Sequence, residues 1–193
     1  GKAVVRALVL LPMVLPPVVG GVALLSAFSR RSPLGSWLYD ALGIQLTFSR
    51  AGVVLAEAFV AMPFFVITVE AALRGLDPRY EQVAAGLGAR PTQVFRRVTL
   101  PLIGPAVVAG AILSWARALG EFGATITFAG NIAGRTQTLP LAIYLQLESD
   151  PGSAVALSLV LLLVSFVVLI ALRDRWLGGS RRCPSTPPSR GAW

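Results

Sequence analysis

Asp77-Pro78-Arg79-Tyr80-Glu81-Gln82-Val83-Ala84-Ala85-Gly86-Leu87-Gly88-Ala89-Arg90-Pro91-Thr92-Gln93-Val94-Phe95-Arg96-Arg97-Val98-Thr99-Leu100-Pro101 is a polar, arginine-bearing insert between two long apolar runs. Asp77 can cap the first free amides of a helix, and Pro78 fits the first helical position, where no amide donor is needed. Glu81, Ala84, Ala85 and Gly88 fall at i, i+3, i+4 and i+7, which gives that helix one shallow, closely approachable face suited to a groove in another protein. Gly88 loosens the chain and Pro91 can open a second short helix. There Val94, Phe95 and Val98 share a side, while Arg96 and Arg97 point to water or anionic headgroups.

The surroundings of the insert are hydrocarbon-like. Hydrophobic residues make up 55% of the chain and charged residues 13%, and the apolar residues fall in runs at 4–28, 51–73, 102–119 and 154–172. A helix needs roughly 20 apolar residues to cross a bilayer and satisfies its own backbone polar groups there. The expectation is an all-α, polytopic transmembrane bundle. Pro12, Pro16 and Pro17 in the first run and Pro63 in the second predict kinked or broken helices, which either line a translocation path or serve packing.

Arginines orient the bundle. Arg74, Arg79, Arg90, Arg96 and Arg97 cluster in or beside the insert, and Arg173, Arg175, Arg181 and Arg182 follow the last run, so both regions belong in the cytoplasm. The loop at 29–50 then faces outward despite Arg30, Arg31 and Arg50. Residues 120–152 begin and end outside, as an external or shallow re-entrant structure. The net charge of +8 follows from this placement, and no recognition helix or aromatic platform indicates nucleic acid. The tail at 177–193, with the lone Cys183, reads as disordered and cytoplasmic.

Chemistry is sparse. There is no histidine, no Gly-rich loop ending in Gly-Lys-Ser/Thr and no nucleophile near a base, which points to a noncatalytic protein with no cofactor and no metal centre. Arg117 and Glu121 lie one helical turn apart and can pair, lowering the cost of charge near the membrane. Gly120 and Gly123 permit close helix approach across a dimer axis. These four residues form either an outer gate or a static ion pair with packing glycines. Glu57, about two turns into its run, suits helix pairing or gating, and Glu70, nearer the cytoplasm, a structural role.

The 77–101 stretch resembles the cytoplasmic coupling motif of permease subunits of bacterial ABC importers, in which an acidic residue and paired alanines precede a glycine and the segment closes on Leu-Pro. Ala84, Ala85, Gly88, Val98, Leu100 and Pro101 match it. Glu81 stands one position before the acidic residue of the motif, leaving Gln82 in that place. The resemblance implies the type I ABC importer permease fold. Residues 1–176 would form the transmembrane domain with 77–101 as its cytoplasmic coupling loop, and Glu81, Ala84, Ala85, Gly88, Leu100 and Pro101 would be the ATPase-coupling residues. Such permeases commonly carry further N-terminal helices, and Gly1 is no initiator, so the chain reads as lacking one or two spans.

Trp115-Ala116-Arg117-Ala118-Leu119-Gly120-Glu121-Phe122-Gly123-Ala124-Thr125-Ile126, followed by Asn131 and by 136–140, is similar to molybdate permeases after their coupling loop. Sulfate permeases usually show Glu-Tyr-Gly-Ser where Glu-Phe-Gly-Ala stands here. The resemblance implies a homodimeric path for molybdate or tungstate through the bacterial plasma membrane, served by a cytoplasmic ABC ATPase subunit and an extracytoplasmic oxyanion-binding protein. A sulfate-type permease, and an ion-coupled carrier or channel that needs no ATPase, are the alternatives.

Overall fold

The structure, a computed structural model, describes residues 1–177, with side chains to residue 170. Cys183 and the rest of the expected disordered tail lie outside the described residues. Every regular element among those residues is helical. The first apolar run forms two helices, α1 (Lys2–Val14) and α2 (Pro17–Phe28). They part at Leu15, whose extended backbone (ψ 137°) is what a residue before proline adopts. The loop at 29–50 holds α3 (Pro33–Leu42), which Ser32 caps through the amide of Gly35 at 3.0 Å and Gly43 closes with φ 66°. α4 (Arg50–Arg74) is unbroken over 25 residues although it contains Pro63.

Beyond α4 come α5 (Arg79–Gly86) and α6 (Pro91–Val94), a π-turn at Phe95–Thr99, and α7 (Leu100–Leu119). The chain then forms α8 (Gly123–Phe128), α9 (Leu139–Ser149) and α10 (Pro151–Leu177), so Leu177 belongs to a helix and not to the tail. Three stretches are long and apolar enough to cross a membrane: Arg50–Arg74, Pro91–Leu119 and Pro151–Ile170. α1 and α2 are each too short alone.

The second short helix of the insert is not a separate element. From Pro91 the helix runs on into α7 for 29 residues. Pro101 has no amide to donate and its ring crowds the carbonyl four residues back, and the widened turn just before it accommodates that defect. The wider turn also changes which residues share a face. Val94 and Thr99, five apart, are buried, whereas Phe95 is exposed, so the expected Val94, Phe95 and Val98 side is replaced.

α4 and α7 run antiparallel in close contact. A Cβ on Gly110 would lie 3.2 Å from Cβ of Thr68 and 3.4 Å from the carbonyl of Phe65, so the two backbones meet where α7 has no side chain. One turn further on, Ser114 donates to the carbonyl of Ala61 at 3.0 Å, two residues before Pro63. Pro63 is thus packed against protein. At the inner end Glu70 accepts from Arg74 of its own helix at 2.6 Å and pairs with Arg6 of α1 at 3.2 Å, which ties α1 to α4 and matches its expected structural role. The core lies toward the other end, where Leu24 of α2, Ala56 and Val60 of α4, and Ala124 and Phe128 of α8 bury one another.

Candidate functional site: the insert and the outer corner

At the inner end α5 stands clear of the bundle with none of its residues buried. Asp77 accepts from the amide of Arg79 at 2.9 Å, which starts the helix one residue later than the sequence suggests. Gly88 ends it. Its φ of +82° is a left-handed conformation that favours glycine. The amides of Gly88 and Ala89 bond back to the carbonyls of Ala85 and Ala84 at 2.9 and 3.2 Å. Gly88 therefore acts through its backbone, and a Cβ there would meet open space.

The small face of α5 borders an open cleft against α6 and the π-turn, with Glu81, Ala85 and Gly88 still exposed. The carboxylate of Glu81 accepts from the hydroxyl of Thr99 at 2.6 Å, and Glu81 and Ala85 line a shallow cleft with Ala89, Pro91, Val94, Phe95 and Thr99. Ala84 is half-buried. Leu100 and Pro101 sit in the first turn of α7 and are exposed. The face turned away is apolar: Tyr80, Val83 and Leu87 are 56%, 64% and 85% exposed at i, i+3 and i+7. Sequence reasoning passed over these three and Thr99. The signal for the first three was their helical spacing on a short polar helix; Thr99 is eighteen residues from Glu81 and carried none.

At the other end α7 stops at Gly120 and the chain turns into α8. Glu121, only 2% exposed, binds both sides of that corner. One carboxylate oxygen pairs with Arg117 at 2.8 Å and the other accepts from the amide of Ala124 at 2.9 Å. The expected ion pair is formed, and the second bond joins it to the first turn of α8. Carrying the α4–α7 register forward from Ser114 and Ala61 sets Glu121 level with Val54, within one turn of Glu57 and about 6 Å from the Arg50 end of α4 at 1.5 Å per residue. Glu57 itself is half-buried and joins no ion pair among the described residues.

α8 climbs from the corner along α2. A Cβ on Gly123 would lie 3.0 Å from the amide nitrogen of Val18, and one on Gly21 would lie 2.8 Å from Cα of Ala124. Within the chain Gly123 makes its close approach to α2, while Gly120 meets no other part of the chain within 4 Å. Above α8, Phe28 meets Phe128 edge-on at 6.3 Å, and Arg50 donates to the carbonyl of Gly134 at 3.1 Å. Residues 123–128 therefore form a short helix packed on α2 and α4.

The described residues form a helical bundle with three helices long and apolar enough to span a membrane, an exposed short helix at one end and a tightly packed α7–α8 corner at the other. The chain belongs to the family described as binding-protein-dependent transport system inner membrane component, which it matches over residues 1–176. It is a multi-pass membrane protein with the type I ABC permease fold. It is 56% identical over 170 residues to the molybdenum transport system permease protein ModB of Mycobacterium tuberculosis, covering 88% of this chain and 64% of that protein. It is 43% identical over 177 residues to ModB of Escherichia coli (92% and 77% covered) and 42% identical over 173 residues to the sulfate transport system permease protein CysT of Escherichia coli (89% and 62%). The chain spans about two-thirds of the length of its mycobacterial relatives.

Proposed function

We propose that this chain is the noncatalytic, membrane-spanning subunit of an ATP-driven importer and forms one half of a path for a tetrahedral oxyanion, molybdate or tungstate. The likeness to molybdenum permeases over most of the chain carries the choice of substrate, and the greater distance from the sulfate permease disfavours the sulfate alternative. The exposed α5 supports an energy source outside the chain. A cytoplasmic ATPase subunit docks there, and its nucleotide-driven closure moves α5. A second copy completes the path, and an extracytoplasmic binding protein delivers the anion.

The two ends of α7 fit that division of labour. Its inner end leaves α6 and the π-turn beneath α5, and its outer end is the Arg117–Glu121 corner. A rigid helix can carry a displacement between them without any titrating group, and the ion pair with Glu121 gives the corner a closed state to leave. The test is uptake of radiolabelled molybdate into vesicles holding the permease with its ATPase and binding protein. Uptake that needs ATP, is blocked by tungstate and is little affected by excess sulfate is the expected result. Molybdate flux without ATP would replace this reading with a carrier or channel.

A further inference from the structure

We infer that Glu81 is the mechanical link between α5 and α7, acting inward on Thr99 and not outward on a partner; the inference rests on the docking role of α5 proposed above. A threonine or serine in a helix ordinarily returns its hydroxyl to a carbonyl three or four residues back. This chain follows that habit: Thr68 donates to Phe64, Thr127 to Gly123, Ser158 to Ala154 and Ser165 to Leu161, at 2.7 to 2.8 Å. Thr99 does not. Its hydroxyl crosses to Glu81 at 2.6 Å, although Thr99 is buried and closes a π-turn.

That bond is the one side-chain hydrogen bond joining α5 to another helical element among the described residues. With no buried residue of its own, α5 meets α6 and the π-turn only at the half-buried Ala84 and across an open cleft, and the chain on either side of it passes through turns at 75–78 and 87–90. Thr99 directly precedes Leu100, the first residue of α7. A displacement of α5 held by Glu81 therefore reaches the foot of α7 without passing through the turn at Gly88. Hydrogen bonds to a carboxylate are short and about twice as strong as neutral ones, which suits a bond that must hold under load.

The variants Thr99→Val, Thr99→Ser and Glu81→Ala separate an internal link from a partner contact. Two measurements apply: molybdate carried per ATP hydrolysed in reconstituted vesicles, and amide exchange of residues 79–88 in the full chain in detergent without the ATPase. Thr99→Val is expected to quicken exchange in α5 and to cut molybdate per ATP about tenfold, the loss of one charge-assisted hydrogen bond. The ATPase should remain bound. Thr99→Ser should restore both readings, and Glu81→Ala with Thr99→Val should be no worse than either alone. The inference is overturned if Glu81→Ala releases the ATPase while Thr99→Val leaves exchange and coupling unchanged. Failure of the unsubstituted chain to retain any ATPase would instead overturn the docking role, and exchange in Thr99→Val would still report the bond.

Discussion

Glu121 is a carboxylate buried within the protein, and its two oxygens have separate partners, Arg117 and the amide of Ala124. Removing its charge leaves a partly buried guanidinium uncompensated, whereas removing both charges does not. Glu121→Gln should therefore destabilise the chain by about 3 kcal/mol, the lower end for breaking a buried pair because Arg117 keeps some exposure. The double change Arg117→Gln with Glu121→Gln should cost less, and heating in detergent while following the folded fraction measures both. Strict additivity would count against the pair. Asp150, in the turn between α9 and α10, behaves differently. The hydroxyl of Ser153 and then its amide, with that of Gly152, hold the Asp150 carboxyl below its ordinary range despite full exposure to water. A depressed carboxyl stabilises the fold above its unfolded pKa of about 3.9 and loses that contribution as pH falls through the folded value. The start of α10 should loosen only in strong acid, and amide exchange at 151–154 against pH checks it. Persistence of protection in Asp150→Asn at every pH would show that the charge is irrelevant there.

At the scale of the element, glycines decide where helices stop and where they touch. Gly88→Ala should weaken α5 by about 1 kcal/mol because its left-handed φ disfavours a Cβ, and Gly88→Trp should abolish ATPase stimulation while the chain still inserts. A measured stimulation that survives Gly88→Trp would exclude the glycine from coupling. Gly21→Leu should part α8 from α2, since backbone atoms of Ala124 occupy the space and cannot rotate away; loss of the Phe28–Phe128 contact, read by a cysteine cross-link between those positions, is the measure. The long runs at 51–73, 102–119 and 154–172 were legible because length and apolarity alone define a span. What escaped was set by single backbone defects. Pro16 divides the first run in two, and Pro101 converts one turn into a π-turn, which moves Thr99 inward and Phe95 outward. Neither effect is periodic, so no reading of 3.6-residue spacing finds them. The same holds for the coupling face: the small residues of α5 were visible in sequence, but their direction depended on where Thr99 lay.

At the scale of the whole molecule the topology follows from which residues share an end of the bundle. Arg6, Glu70 and Arg74 gather at the end that carries the insert, while Arg50 and Gly134 meet at the opposite end. A membrane-impermeant thiol reagent applied to intact cells should therefore label cysteines placed at Ser36 and Gly130 and miss Cys183. Labelling of Cys183 from outside would add a span at 138–147 and remove the re-entrant reading, without touching the insert. That insert carries the central claim, that an ATPase subunit engages the outward side of α5. The most direct measurement is cross-linking from a single cysteine at Val83, in a chain with Cys183→Ser, to the ATPase subunit in the assembled complex. The account predicts a cross-link at Val83 that also forms at Leu87 and fails at Ala85, which faces the cleft. A cross-link from Ala85 alone, or from none of the three while molybdate still crosses the membrane, would contradict it.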